Sequence, residues 1–432
     1  GALRNLKFPA SSFSIALALT HPVDVVFAAP ESSLPTIIIS QPAEVTPEAG
    51  QTRAHTRFDS EEIEALEPAR IEDLAWSIPS ASIDSVNGGL SPGLTIRGFQ
   101  VNGTRWNGLP DIDRLFVRDM ATVESVTVVN SVDAVAHGLA NPGGLVLYEG
   151  KRPSRIPSGS VSVAVGSPAR GRAVVDKTGP IGQRWSYRLI GAVQDGHTEP
   201  SKRTLKRWHG LVALEWRYND RGSLSFEHER QNNWREYNFG TVLKGDQVLF
   251  DRNFASPDQE SRRRYQRTGI EWRHELSETA TLTVAHAQSR VHRDETLFGF
   301  WSVISDRELS GYYTDYRDKY RQVNSRLRLD VSARQGAFVH DLAVGMDRDT
   351  RDVRFRGRQA LWDFAENDWA FRLDIDAPDF RDIDPDEIAT YPRAVREDGT
   401  ELGAWLSHRV HWGDQWQFAW GVRRNKFDLQ SS

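Results

Sequence analysis

Seven carboxylates crowd one polar segment of the chain, residues 374–387. Oxygen ligands at this density are the chemistry of a Ca²⁺ site, but the segment lacks the central glycine and closing glutamate of a hand-type calcium loop. We favour a solvated acidic loop, keep a calcium site as the alternative, and assign no metal ligands. The carboxylates are Asp374, Asp376, Asp379, Asp382, Asp384, Asp386 and Glu387.

Other residues of catalytic type do not assemble into an active site. His408 and His411 are three apart, which places them on opposite faces of a strand and excludes them as a ligand pair. The basic run Arg262-Arg263-Arg264 fits a solvated loop or strand end, with contact to lipopolysaccharide or an anionic ligand as the alternative. HExxH and Walker A motifs are absent, and so is cysteine. The sequence therefore predicts no catalytic residues and no enzyme.

Composition narrows the class of protein further. The 432 residues carry a net charge of −5, which argues against a nucleic-acid binder because such proteins present a basic face. Without cysteine there is no disulfide framework. Apolar runs stay well below the length of a membrane-spanning helix. Transmembrane β-strands remain open, because only every second residue of such a strand faces lipid.

Residues 154–432 alternate between apolar and polar positions with the period of a β-strand. Trp185, Leu189 and Val193, for example, lie on the face opposite to Ser186. One face is aliphatic in the middle and aromatic toward the ends, as a lipid-facing strand requires, and the other carries charges of both signs. A soluble β-sandwich or propeller is the alternative. The length of the strands and the lack of a blade-sized repeat count against it.

Longer polar segments at 231–263, 293–320 and 356–399 interrupt this alternation. In an outer-membrane barrel the long connections are extracellular and the turns on the other side are short. The three segments are therefore predicted to be ligand-gathering loops.

The N-terminal segment combines a leader with a tether. Residues 1–30 contain Arg4 and Lys7 followed by short, interrupted apolar stretches, so an export signal and a leader without fixed structure both stay open. Residues 31–54 are typical of a flexible tether. The β-prone segment 36–40 within it is either a strand of the next domain or a strand that adds to the sheet of another protein.

Residues 55–153 predict a small α+β domain rich in glycine turns. Asp59 or Ser60 is suited to cap a short helix. Asn107-Gly108 is a strong tight-turn signal, and the alternation from Val123 to Val129 predicts a strand.

Five motifs in this domain resemble, in order and spacing, the plug of TonB-dependent outer-membrane receptors of the ferric-siderophore branch. They are Ile96-Arg97-Gly98-Phe99, Asn107-Gly108-Leu109-Pro110-Asp111, Val123-Glu124-Ser125-Val126-Thr127-Val128, Gly138 with Asn141-Pro142-Gly143-Gly144, and Lys151-Arg152-Pro153. Each motif alone is weak, whereas the ordered series is specific. The resemblance implies an α+β plug domain followed by antiparallel transmembrane β-barrel strands. Residues 154–432 suffice for about 10–12 strands, so the barrel is expected to be incomplete against the 22 strands of the family.

What the resemblance implies for function is transport across the outer membrane of a Gram-negative bacterium. The segment 36–40 resembles a TonB box, which pairs as an added strand with TonB and its inner-membrane energising complex. The expected ligand is a ferric siderophore, whose iron the protein does not bind directly, and no cofactor is expected. Cobalamin, haem or a saccharide remains an alternative. Outer-membrane lipid and lipopolysaccharide are the other expected partners. The TonB-box residues are Thr36, Ile37, Ile38, Ile39 and Ser40.

The same alignment of spacing places the ligand contacts on two loops at the plug apex. Arg105 and Arg114 are expected to attract an anionic ferric chelate, and Trp106 and Phe116 to pack on its apolar arms. The alternative is that these residues only shape the loops. The predicted set is Asn102, Gly103, Thr104, Arg105, Trp106, Arg114 and Phe116.

The plug motifs also depart from the family pattern. Arg97 matches one of two cations that hold the plug by pairing with barrel carboxylates, and a buried arginine needs such a partner. The second cation is lost, because Asn130-Ser131-Val132 stands where the family has a basic residue followed by Gly-Pro. Either the plug–barrel lock is weakened or the gene is drifting.

The length of the chain is the basis of the main alternative hypothesis to a working receptor. An open half-barrel would leave unpaired strand edges in lipid. The last residues, Phe427 to Ser432, also lack the C-terminal aromatic with which outer-membrane barrels insert. A truncated or degraded receptor fragment without transport activity is therefore the second hypothesis. A soluble all-β binding protein is the third.

Overall fold

The computed structural model describes residues 25–26, 55–83, 93–101, 103–112, 116–129, 144–166, 170–198, 203–236, 242–249, 254–256, 259–380, 383–413 and 416–431. The predicted TonB box at 36–40 lies outside these residues. So do Asn102, Arg114 and the motif Asn130-Ser131-Val132.

The N-terminal part of the described chain is an α+β domain. Its strands form two sheets, one of five strands and one of three. The helical elements are α1 (Ser60–Leu66) and two 3₁₀ turns, Ile71–Ser77 and Met120–Thr122. The strands are β2 (His55–Phe58), β3 (Ala81–Ile83), β4 (Leu94–Ile96), β5 (Phe99–Gln100), β6 (Thr104–Trp106), β7 (Leu109–Asp111), β8 (Val123–Val129) and β9 (Leu145–Gly150), preceded by the short β1 (Val25–Val26).

Local sequence signals explain two features of this domain. Asp59 caps α1 through a capping box: its carboxylate accepts from the Glu62 N–H at 3.0 Å, and the Glu62 carboxylate accepts from the Asp59 N–H at 3.1 Å. Asn107 and Gly108 both have positive φ, 49° and 79°, and form the tight turn between β6 and β7. The Asn107 side chain then accepts from the Gly150 N–H at 2.9 Å, which ties this hairpin to β9.

The rest of the chain forms one large antiparallel sheet. Eleven long strands of the described chain follow one another, each pairing with the next long strand, and the short β1 adds to the first of them in parallel. The long strands are β10 (Ser158–Gly166), β11 (Arg170–Ile181), β12 (Trp185–Thr198), β13 (Arg203–Asn219), β14 (Gly222–Arg235), β17 (Glu260–Ser277), β18 (Ala280–Val303), β19 (Glu308–Gln335), β20 (Phe338–Ala360), β24 (Tyr391–Trp412) and β25 (Trp416–Ser431). Short strands in the connections are β15 (Leu243–Lys244), β16 (Gln247–Val248), β21 (Trp362–Asp363), β22 (Asp368–Trp369) and β23 (Arg372–Asp374).

The sheet is not closed, because β25 pairs only with β24 among the described strands. The predicted fold class, an α+β plug followed by an incomplete set of antiparallel barrel strands, is confirmed. In the described part of the chain, no helix is long and apolar enough to cross a membrane.

The two ends of the sheet differ in their connections. Short turns at 182–184, 220–221, 278–279 and 336–337 join strands at one end, and longer connections at 236–259 and 361–390 lie at the other. The predicted loop at 293–320 is wrong, since β18 and β19 run through it and leave a turn of only four residues at 304–307. Its polar residues pair across strands instead, as Arg293 Nε does with Asp318 at 2.8 Å. The polar composition of this segment is typical of a loop, but its polar side chains lie on two paired strands.

The two faces of the sheet have different surroundings. On β12, Trp185, Leu189 and Val193 are exposed on the outer face, whereas Ser186 and Ala192 are buried on the inner face. The α+β domain covers the inner face of the first strands, and one apolar cluster joins the two regions. That cluster includes Trp106, Val123 and Val146 of the domain and Ile190, Ala192, Leu211 and Ala213 of the sheet.

Candidate functional site: the plug–barrel interface

Arg118 is the centre of a buried charge network between the domain and the sheet. It precedes β8 and points at the inner faces of β14 and β17. Its guanidinium donates to the Glu229 carboxylate at 2.5 Å, to the Asp111 carboxylate, and to the Tyr265 hydroxyl at 2.9 Å. His209 contacts the same Glu229 oxygen at 2.7 Å. The cation is thus neutralised by one carboxylate from each side of the interface.

Aromatic rings enclose the same guanidinium. Its central carbon lies 4.0 Å from the centroid of the Trp106 ring and 5.3 Å from that of Tyr265. Phe116 stacks on Tyr265 with 4.0 Å between centroids. Trp106 is fully buried, and its indole N–H donates to Glu227 at 2.9 Å. The rings exclude water and strengthen the ion pairs that they surround.

At Asp119, the next residue, the signs of the charges are reversed, because a carboxylate of the domain pairs with arginines of the sheet. Its fully buried carboxylate accepts from Arg172 at 2.6 and 2.8 Å and from Arg207 at 3.3 Å, and both arginines belong to the sheet. Its backbone N–H donates to the Gln231 side chain at 3.1 Å. Arg118 therefore gives the sheet a cation and Asp119 gives it an anion. We call these two residues the charge anchor.

The electrostatics of the charge anchor favour both ionised forms. Burial alone would raise the pKa of the Asp119 carboxyl, but the hydrogen bond from Arg172 and the charges of Arg207 and Arg172 hold that pKa well below its ordinary value. Burial would lower the pKa of the Arg118 guanidinium, but Glu229, Tyr265 and Asp111 raise it well above its ordinary value. Both residues therefore remain charged at neutral pH.

Among the predicted ligand residues that the structure describes, Trp106 and Phe116 lie within this interface. Arg105 is buried and its guanidinium donates to the Thr104 carbonyl at 3.1 Å. Trp106 and Phe116 pack around Arg118, as described above. Gly103 has a φ of +147°, and a Cβ there would approach the Leu145 side chain to 2.9 Å. Their contact with a ligand stays a prediction, because the contacts that the structure describes are with the protein itself.

Arg97, the predicted lock residue, lies elsewhere. It is exposed in a turn with a φ of 52°, and its backbone N–H donates to the Ser80 carbonyl at 3.0 Å. No carboxylate within the described ranges lies at ion-pair distance from its side chain. The role of Arg97 as a lock remains a prediction, while the charge anchor makes the ion pairs that join the two regions here. Lys151 and Arg152 add two more, to Asp176 at 3.1 Å and to Glu271 at 2.7 Å.

Sequence reasoning missed the charge anchor. Its signal is present, because Arg118 and Asp119 are adjacent opposite charges between the buried apolar pairs Phe116-Val117 and Met120-Ala121. Charged residues in such a position are almost never buried unless they are paired. What the sequence lacked was the identity of the partners across the interface, such as Glu229, 111 residues from Arg118, and Arg172, 53 residues from Asp119.

The other candidate clusters have ordinary partners. In the acidic segment, Asp376 pairs with Lys244 at 2.7 Å and Asp386 with Arg358 at 2.6 Å. No three acidic or histidine side chains converge as a metal site in the described part of the chain. His408 contacts His340 at 3.2 Å, while His411 faces Asp341 on the other side of β24. The predicted separation of the two histidines is therefore confirmed.

Comparison with known proteins decides what this domain is. Residues 48–145 match the family described as the TonB-dependent Receptor Plug Domain. The chain carries the plug of a TonB-dependent receptor. The predicted resemblance is thereby confirmed, and the interface described above is a plug–barrel interface.

Two curated relatives are similar over most of this chain. The Ferrioxamine B receptor of Salmonella typhimurium is 21% identical over 359 residues, which cover 78% of this chain and 49% of that protein. The Ferrichrome outer membrane transporter/phage receptor of Escherichia coli is 22% identical over 395 residues, which cover 82% of this chain and 52% of that protein. The chain thus spans about half the length of these relatives.

A solved structure shares the fold. The ferric-catecholate import receptor Fiu from E. coli K12 superposes with a TM-score of 0.77 at 14% identity. The match covers 89% of this chain and 61% of that one. The long antiparallel strands of the present chain therefore have the arrangement of barrel strands in that receptor.

Proposed function

We propose that this chain is the plug and N-terminal barrel region of a TonB-dependent outer-membrane transporter for a ferric siderophore. The receptor names and fold of its relatives support the proposal. Iron enters as cargo within its chelate, so the protein needs neither a metal ligand nor a cofactor. The proposed activity is transport, and no covalent step is involved.

The charge anchor carries the mechanistic part of the proposal. Arg118 and Asp119 join the plug to the sheet through ion pairs and hydrogen bonds, which are directional and can be exchanged for water. A plug held in this way can be displaced by a pulling force without unfolding the barrel. Segment 36–40 is the proposed handle, to which TonB adds as a neighbouring strand.

Uptake of labelled iron by iron-starved cells tests the transport role. We expect cells that express the protein to accumulate iron from at least one of a panel of ferric siderophores, and cells that lack it to fail with that siderophore. The protein should also migrate differently before and after heating in an outer-membrane fraction. A protein that inserts in the membrane but imports none of the panel would instead support the receptor fragment without transport.

A pair of variants in segment 36–40 tests the coupling to TonB. Ile38→Pro removes a backbone N–H and breaks an added strand, whereas Ile38→Val keeps strand propensity. We expect Ile38→Pro to abolish uptake and leave ligand binding to intact cells unchanged, and Ile38→Val to retain both. Equal uptake by the two variants would contradict the role of this segment.

A further inference from the structure

An apolar core lies among the long connections of the sheet, separate from the cluster that joins the plug to the sheet. Connections usually run over the surface and bury few apolar side chains of their own. Here six buried side chains come together from two connections and from the β18–β19 hairpin. We call them the loop core: Val242, Leu249 and Phe254 of connection 236–259, Leu309 of β19, and Leu373 and Ile375 of connection 361–390.

Backbone hydrogen bonds attach connection 361–390 to the tip of the β18–β19 hairpin. Beyond the end of β20, β23 pairs with the edge of β19 in its place. The Gly311 N–H donates to the Phe371 carbonyl at 2.8 Å, and the Ile375 N–H donates to the Arg307 carbonyl at 2.8 Å. A Cβ at Gly311 would collide with the Phe371 ring, so glycine permits this close approach. The connection therefore continues the sheet at the tip of the hairpin.

Connection 236–259 contacts the other strand of the same hairpin. The Ser256 N–H donates to the Phe298 carbonyl of β18 at 3.0 Å. The fully buried Phe254 ring meets the Phe300 ring edge-on, with 5.6 Å between centroids. The Phe298 ring in turn lies 5.9 Å from the ring of Phe371 in the other connection. Each connection is thus bound to one strand of the hairpin, and β18 supplies aromatic rings to both.

The two connections also contact each other directly. Lys244 donates to both carboxylate oxygens of Asp376, at 2.7 and 2.8 Å. This ion pair is partly exposed, so water and salt screen it. The apolar contacts of the loop core are therefore the stronger part of the link, because they remove hydrocarbon surface from water.

The loop core lies on the side of the hairpin that is opposite to its inner face. Ser289 of β18 faces inward, since its hydroxyl donates to Asp111 of the plug at 3.3 Å. Arg293 shares that face, whereas Phe298 is an odd number of positions away and lies on the opposite one. Phe298 forms a cross-strand pair with Tyr313, with 4.6 Å between ring centroids. The core therefore supports the hairpin from outside and leaves its inner face to polar residues.

We propose that the loop core makes the two long connections one conformational unit, which braces the tip of the β18–β19 hairpin and loses its packing as a whole. Neither connection can leave the core without exposing apolar surface of the other to water. Coupling of this kind is reciprocal, so a disturbance of either connection loosens the other. The two segments are therefore not independent loops, although each is polar and separate in sequence.

Hydrogen exchange of the purified protein in detergent, followed by mass spectrometry, tests this coupling. Phe254→Ala removes a ring of the core from one connection, and Leu373→Ala removes an apolar side chain from the other. The decisive signal is exchange in the connection that carries no substitution. For Phe254→Ala it is measured in peptides that contain Ile375. For Leu373→Ala it is measured in peptides that contain Leu249, whose N–H donates to the Val242 carbonyl at 3.0 Å.

Exposed apolar residues of the same connections provide matched controls. Leu243 is 61% exposed and Phe364 is 78% exposed, so replacing either one removes apolar surface without opening the core. The control variants are Leu243→Ala and Phe364→Ala. Lys244→Gln removes the ion pair alone and should behave like these controls, because the apolar core holds the connections together.

We expect each core variant to speed exchange in the unaltered connection at least about fivefold, and each control variant less than about twofold. Faster exchange confined to the altered connection would overturn the proposal. Control variants that match the core variants would overturn it as well.

The amides of β12 and β13 report in the same experiment whether the sheet remains folded. If an alanine variant loses that protection, Phe254→Leu and Leu373→Val repeat the comparison with a smaller change in packed volume. The same two outcomes then decide. The proposed transport function is measured separately, by the uptake of labelled iron, so its failure and the failure of this coupling are distinguishable.

Discussion

The two faces of the sheet balance their charges in different ways. On the inner face the ion pairs with the plug join residues far apart in sequence, 111 residues for Arg118 with Glu229 and 53 for Asp119 with Arg172. On the outer face, Arg354 pairs with Asp352 only two residues away. The inner pairs are buried and the outer pairs are exposed. The inner charges thus position a domain, whereas the outer charges mainly maintain a hydrated surface.

This difference predicts very unequal costs of removing a charge. A buried ion pair that loses one partner leaves an uncompensated charge, which costs about 3–5 kcal/mol. An exposed pair contributes little, because water and salt screen it. The following variants test that contrast.

The largest effect is expected for Asp119→Asn. It leaves Arg172 and Arg207 without their shared carboxylate and should lower the free energy of unfolding by about 3–5 kcal/mol. The measurement is thermal unfolding in detergent, with limited proteolysis of the plug as a second readout. Asp352→Asn is the matched control on the outer face. Similar midpoints for these two variants would contradict the contrast between the faces.

A smaller decrease in the free energy of unfolding, about 3 kcal/mol, is expected for Arg118→Met. Both of its carboxylate partners keep another hydrogen-bond partner, since Tyr265 donates to Asp111 at 3.0 Å and His209 contacts Glu229 at 2.7 Å. The double variant Arg118→Met/Glu229→Gln should be more stable than the sum of the single changes predicts, because the unpaired carboxylate is removed. Strict additivity would show that Glu229 is not coupled to Arg118.

Acid should weaken the inner face through Asp119. Its folded pKa lies below the ordinary 3.8, so its contribution to stability is present above that value and is lost as the pH falls through the folded pKa. The stability difference between the unmodified protein and Asp119→Asn should therefore be constant near neutral pH and narrow below about pH 4. Thermal unfolding measured from pH 7 to pH 3 checks this. A difference that narrows already at pH 6 would mean that another group controls the interface.

The smallest effect is expected on the outer face, for Arg354→Gln. Its pair with Asp352 is exposed to solvent, so we expect no measurable change in the unfolding midpoint. A clear loss of stability would break the comparison, because it would give exposed short-range pairs the same weight as the charge anchor.

Much of the architecture was predictable because it depends on local patterns. The alternation of Trp185, Leu189 and Val193 with polar neighbours identified a strand and its outer face. The Asn107-Gly108 turn and the Asp59 cap follow from backbone preferences of single residues. The error at 293–320 has a physical reason as well. Arg293 and Asp318 are polar enough to resemble a loop, but they pair across two strands that run through most of this segment.

The interface was less accessible to sequence reasoning. The predicted apex residues Trp106 and Phe116 lie in the buried plug–barrel contact, and Arg105 is buried beside them in the plug. Arg97 lies in an exposed turn, and its expected carboxylate is not among the contacts of the described residues. Motif order located the plug correctly, yet it did not show which of the plug's charges face the sheet.

By itself, the sequence determined the strand periodicity, the turns, the plug motifs and their resemblance to those of TonB-dependent receptors. These properties depend on neighbouring residues or on spacing along one segment, so they can be read without coordinates. Only the tertiary structure decided the partners of Arg118 and Asp119, and the register that sets Phe298 against Tyr313 and Leu309 against Leu373. Those contacts join separate strands, and a shift of one residue in pairing would turn every side chain to the other face.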